Sequence, residues 1–79
     1  MIHPQLETFI LVVESGSFSR AAQSRDCSAV SIMNQGDNLE ARLGVKFLIR
    51  GSQGISLTAE GEFFYKEAKK LRNAAARIM

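Results

Sequence analysis

The chain has 79 residues with a hydrophobic fraction of 46%, which suits one small globular domain and argues against disorder. No apolar run approaches the roughly 18 residues of a membrane-spanning helix. Residues 1–61 carry five basic side chains against six acidic ones, while residues 62–79 carry five against two, so the net charge of +2 comes from the C-terminal segment and the head offers phosphate a thin electrostatic footprint.

Pro4 suits the first turn of a helix, where its missing N–H is not needed. Leu6, Phe9, Ile10 and Val13 then recur at helical spacing and predict one apolar face ending before Gly16. Ser17 is placed to cap a short second helix with Phe18, Ala21 and Ala22 turned inward. Cys27 falls in the following turn, where a small hydrophobe is wanted. Ser28 is placed to cap a third helix over about residues 29–42, with Ile32, Leu39 and Leu43 on its inner side and Gly44 as its C-terminal stop.

Val45–Ile49 and Ile55–Leu57 are β-favouring runs, and Gly51-Ser52-Gln53-Gly54 between them predicts a hairpin tip. Thr58 is placed to cap the last helix. There Phe64, Ala68, Leu71, Ala75 and Ile78 alternate four- and three-residue steps, the rhythm of a coiled-coil seam. Some twenty residues at 1.5 Å each reach roughly 30 Å, longer than so small a head can cover. A second copy of the helix is the expected cover, and folding back on its own domain is the alternative.

The ordered set Leu6…Phe9, GSFSRAA at 16–22, Ser28, LEARLGVKF at 39–47, Arg50 and LTAEG at 57–61 resembles the N-terminal DNA-binding domain of LysR-type transcriptional regulators. The resemblance covers almost the whole chain. It implies a mainly α fold with a small β-hairpin, a winged helix-turn-helix over residues 1–58 (the helix-turn-helix proper about 18–37), and a linker or dimerisation helix over 59–79. It also implies a larger C-terminal effector domain, absent from these residues, through which alone a small molecule would act. Three positions depart from the family pattern: Arg25 stands where a core leucine is usual, Met33-Asn34 where Ser-Arg is common, and Gly36 where an inward Ile or Val is usual.

Helical phase and the resemblance together select Ser28, Ala29, Ser31, Asn34, Gln35 and Asn38 as base readers on a recognition helix in the major groove. Asn and Gln suit adenine N6 and N7, and Ser suits base or phosphate. Phosphate and wing contacts are expected from Ser17, Arg20, Arg42, Lys46, Arg50, Ser52 and Gln53, and pairing of subunits from Phe64, Ala68, Leu71, Ala75 and Ile78. Arg50 also has a plain surface alternative, an ion pair with an acid such as Glu40, and Asp37 is expected to repel phosphate.

The expected partner is double-stranded DNA, bound by a homodimer on two half-sites for promoter recognition. The rival reading is a dimerisation or protein-interaction module with weakened or lost DNA reading, motivated by the acid-leaning head and the absence of Lys or Arg between Asp26 and Ala41. No nucleophile–base pair, acid pair or phosphate loop points to an enzyme, and no cofactor is expected in this fragment. His3 lacks a second ligand at metal spacing and reads as a surface residue. The N-terminus lacks a signal-peptide pattern, no membrane association is expected, and a single cysteine fits a reducing cytoplasm.

Overall fold

The computed structural model describes residues 4–52 and 54–78, with Ile78 described in its backbone alone. The expectations for His3, for Gln53 and for the Ile78 side chain lie outside the described residues. In chain order the elements are α1 (Pro4–Ser15), α2 (Phe18–Arg25), α3 (Ala29–Leu43), β1 (Leu48–Gly51), β2 (Gly54–Leu57) and α4 (Ala59–Ile78).

Local chemistry sets most of these ends. The Ser17 hydroxyl accepts the Arg20 N–H at 3.1 Å, and the Ser28 hydroxyl accepts the Ser31 N–H at 3.1 Å, so both predicted N-caps form. Gly44 closes α3 at φ 68°, its N–H donating to the Glu40 carbonyl at 2.8 Å, as a left-handed glycine cap does. Asp26 caps α2 at φ 54°, a conformation that aspartate tolerates better than branched residues. Cys27 is exposed and so is not the small buried hydrophobe expected in this turn. Backbone bonding holds the turn instead, with the Cys27 N–H on the Ala22 carbonyl at 3.1 Å.

The core gathers Phe9, Ile10 and Val12 from α1, Ala21 and Ala22 from α2, Ile32 and Leu39 from α3, then Phe47, Leu48 and Ala68. Ala21 is fully enclosed, so α2 packs closely on its neighbours because it has nothing larger there. Leu43, expected inward, is half exposed: one turn beyond Leu39, α3 has passed the edge of the core. Arg25 is exposed, so the departure expected there places no guanidinium in the core. A Cβ on Gly36 would meet only Leu48 Cδ1, at 3.9 Å, so the missing side chain leaves tolerable space.

One buried acid escaped the pattern of apolar periodicity. The Glu40 carboxylate accepts the Phe47 N–H at 2.7 Å and the Leu48 N–H at 3.0 Å, and meets Lys46 Nζ at 3.5 Å. This single side chain satisfies two buried backbone donors between α3 and β1. It also explains why β1 starts at Leu48 and not at Val45 as the β-favouring run suggests. The chain at 45–47 is bent around the carboxylate, and Phe47 donates to it instead of to a sheet ladder. The strands pair antiparallel as Leu48 with Leu57, Ile49 with Ser56, Arg50 with Ile55 and Gly51 with Gly54. The hairpin docks on the first turn of the fold through the Ile55 N–H, which reaches the Gly16 carbonyl at 3.2 Å.

Thr58 joins the hairpin to α4. Its hydroxyl accepts the Gly61 N–H at 2.9 Å and donates to the Lys46 carbonyl at 2.6 Å. Gly61 is buried so tightly that a Cβ there would sit 2.1 Å from the Phe47 carbonyl oxygen. That close approach sets which face of α4 lies on the head. Phe64 stacks on Phe47 at 4.4 Å between ring centroids and meets Phe9 edge-on at 5.1 Å, and Ala68 is buried. Of the expected seam, Ala68 is thus buried in the domain's own core and Phe64, half-buried, packs against that core, whereas Leu71 is half exposed. Further along, Tyr65 donates to Glu14 at 3.1 Å and Arg72 pairs with Glu14 at 3.2 Å. Burial, reinforced by Glu14, raises the Tyr65 phenol above its usual pKa.

Glu40→Ala strips two backbone donors of their acceptor and is expected to cost about 2–4 kcal/mol, read as a lower urea midpoint. The glycines should respond with opposite signs in the same assay. Gly61→Ala is expected to destabilise by about 3 kcal/mol through overpacking against backbone, whereas Gly36→Ala should stabilise by about 0.5–1 kcal/mol.

Candidate nucleic-acid interface

α2, the turn at 26–28 and α3 form the helix-turn-helix, and β1–β2 forms the wing beside it. α3 divides by phase. Ile32, Leu39 and Glu40 are buried, while Val30, Asn34, Asp37, Asn38 and Ala41 are exposed on the opposite side. Asn34 and Asn38, one turn apart, therefore project together from an unobstructed surface. Ser28 is exposed at the helix start, though its hydroxyl oxygen is engaged in capping. Ala29 and Ser31 are half-buried.

Gln35, expected to face outward by helical phase and the resemblance, is half-buried. Its Oε1 accepts the hydroxyl of Thr8, a residue 1% exposed, at 2.7 Å. α1 thus holds one end of this amide, and the bidentate pairing expected of a free glutamine is compromised. The reason is helical phase, since Gln35 lies between the buried Ile32 and Leu39 turns. Val30 is absent from the expected base readers although it lies on the same exposed side. At 64% exposure it presents an apolar surface suited to a thymine methyl group. Its signal was available in the sequence, as an apolar residue out of phase with Ile32.

The basic residues are less free than their number suggests. Arg50 Nη2 pairs with Asp37 Oδ1, and its guanidinium lies 5.0 Å over the Phe18 ring, so the acid partner is Asp37 and not Glu40. Lys46 is highly exposed but meets Glu40 at its tip. Arg42 donates to Gln5 at 3.0 Å. Arg20 is exposed on α2, Ser17 is half-buried and spends its hydroxyl oxygen on the cap, and Ser52 is exposed at the wing tip. Among the described residues no group of three or more His, Cys, Asp or Glu could hold a metal ion, and no helix is long and apolar enough to cross a membrane.

This order of elements defines the chain as a winged helix-turn-helix domain with a long C-terminal helix. Residues 3–62 match the family described as bacterial regulatory helix-turn-helix protein, lysR family, and the chain belongs to that family. It is 42% identical over 66 residues to the transcriptional regulator BenM of Acinetobacter baylyi, covering 84% of this chain and 22% of BenM. It is 41% identical over 73 residues to the regulator TcbR of Pseudomonas sp. strain P51, covering 92% of this chain and 25% of TcbR. The chain thus spans about a quarter of the length of these relatives. In three dimensions it superposes on the BenM DNA-binding domain in complex with benA site 1 DNA with a TM-score of 0.91, at 37% identity, covering 99% of this chain and 91% of that one. The CbnR DNA-binding domain in complex with DNA gives 0.88, at 40% identity, over 98% and 88%.

The Thr8–Gln35 bond can be measured. Thr8→Val and Gln35→Ala, combined in a double-mutant cycle and read by chemical denaturation, should show a coupling of about 1 kcal/mol. Additive effects would mean that the amide is not held by α1.

Proposed function

We propose that this chain binds double-stranded DNA sequence-specifically, as the promoter-recognition part of a longer LysR-type regulator. The observation that carries the reading is the exposed face of α3, where Asn34 and Asn38 stand clear of the core on a scaffold that superposes on DNA-bound domains at a TM-score of 0.91. α3 enters the major groove with Asn34 and Asn38 at base edges and Ser28, Ala29 and Ser31 near its leading end. Val30 adds an apolar contact there. Arg20, Arg42, Lys46 and Arg50 supply backbone contacts, with Ser17 and the wing at Ser52 and Gln53 beside them. Gln35 takes a supporting part, steadied by Thr8.

The functional unit is a homodimer joined through the face of α4 that the head leaves open. Leu71 and Ala75 fit that role. Phe63, at 68% exposure, adds apolar area near the start of the helix. Two heads then meet two half-sites about one helical turn apart or a multiple of that. A small-molecule effector acts through a C-terminal domain outside these residues, the DNA-binding part itself needs no cofactor, and the setting is the cytoplasm.

Titrating labelled duplex at two salt concentrations tests the reading. Affinity should fall with salt at a log–log slope of about −0.9 for each phosphate neutralised, and a chain that ignores duplex at low salt contradicts it. Asn34→Ala should change the preference among duplexes by about 1–3 kcal/mol at one base position, measured by competition between single-base variants of a bound site.

A further inference from the structure

Asp37 lies on the same exposed side of α3 as Asn34 and Asn38, yet it is an acid in a helix that carries no Lys or Arg before Arg42. Its carboxylate is paired with Arg50, which reaches across from β1. The two side chains keep 49% and 39% of their surface exposed, so neither is locked away from a ligand. The Phe18 ring beneath the guanidinium, 5.0 Å away, fixes where Arg50 sits while its outer edge meets the carboxylate. The same arrangement recurs a short distance along, where Lys46 meets the buried Glu40, and the two pairs line one open cleft between α3 and β1.

Resting on the DNA-binding reading above, we infer that Asp37 is an intramolecular stand-in for a DNA phosphate: it occupies Arg50 in the free protein and attenuates the sequence-independent part of DNA affinity. A carboxylate presents two anionic oxygens in a plane, which is what a guanidinium seeks in a phosphate diester. A phosphate that takes the Nη2 edge of Arg50 must displace Asp37, and one that takes the remaining N–H groups must tolerate the carboxylate nearby. The exchange replaces one charge-assisted contact by another, so Arg50 adds little net attraction. This has a functional consequence. With five bases against six acids in residues 1–61, the head draws proportionately more of its binding from base contacts on α3 and less from the backbone. The contact concerns phosphate alone, so its removal must help every sequence alike.

Asp37→Asn in the 79-residue chain tests this, with two unrelated duplexes of about 30 base pairs, long enough for two half-sites. The variant should bind both duplexes roughly three- to tenfold more tightly at low salt, the gain expected from freeing one ion-paired cation and removing one repelling charge. Its salt slope should steepen by about 0.9, one additional phosphate contact. In an Arg50→Ala background the same substitution should give a clearly smaller gain. Asp37→Ser, which also removes the charge, should reproduce the effect, and thermal melts of all variants identify any that fail to fold. Unchanged binding by both Asp37 variants, or a gain undiminished without Arg50, overturns the inference. So does a change confined to one duplex, which would make Asp37 a base contact, such as an acceptor for cytosine N4. Wild-type binding with no gain in the variants overturns this inference alone. Failure of wild type and variants to bind at all overturns the DNA-binding reading with it.

Discussion

The parts of the domain beyond α3 hang from the Glu40 carboxylate. Two backbone N–H groups, of Phe47 and Leu48, are turned into the interior at a place where no strand or helix supplies an acceptor. Buried donors without partners are costly, and an ionised carboxylate is among the strongest acceptors available. Glu40 therefore determines how the chain leaves α3, and with it the position of β1. Because Phe47 is held there, its ring can stack on Phe64 and its carbonyl can meet the Thr58 N–H at 3.0 Å. The carbonyl also forms the surface against which Gly61 packs without a Cβ. The sequence of dependence runs from one acid on α3, through a bend, to the placement of both wing and α4.

This frame explains why the surface reading is sparse. α3 must turn Ile32, Leu39 and Glu40 inward to hold the core and the bend, which leaves Val30, Asn34, Asp37, Asn38 and Ala41 outside. Those residues are small, polar or acidic, and Gln35 is drawn partly inward by Thr8. Positive charge comes instead from neighbouring elements: Arg20 on α2, Arg50 on β1 and Lys46 in the bend. Two of these three meet acids of α3. The exposed polar residues of α3 and the neighbouring positive charge thus come from different elements, and Glu40 fixes where the bend and β1 lie relative to α3.

α4 is attached to the head over part of its length and leaves Phe63 and Leu71 exposed. Its first turns are committed to the head by Gly61, Phe64 and Ala68, with Tyr65 and Arg72 tied to Glu14 of α1. The heptad-like rhythm of its apolar positions was real, but part of it records attachment to the domain itself. Helical periodicity identifies a buried face and does not say what buries it.

Local rules written in the chain were enough for most of the architecture. The serine caps at 17 and 28, the glycine stop at 44, the glycine-flanked hairpin tip and the order of helices all follow from short-range chemistry, which acts within a few residues and is therefore legible in sequence. Long-range geometry decided the rest. Glu40 reads as a surface charge until the backbone of 47 and 48 is brought against it, and Gln35 reads as free until Thr8 faces it across α1. Asp37 looks merely repulsive to DNA until β1 delivers Arg50 to it. Gly61 looks like a poor helix residue until the Phe47 carbonyl arrives where a Cβ would be. In each case the partner lies on another element, and the energy of a polar or steric contact depends on a placement that only the packed fold creates.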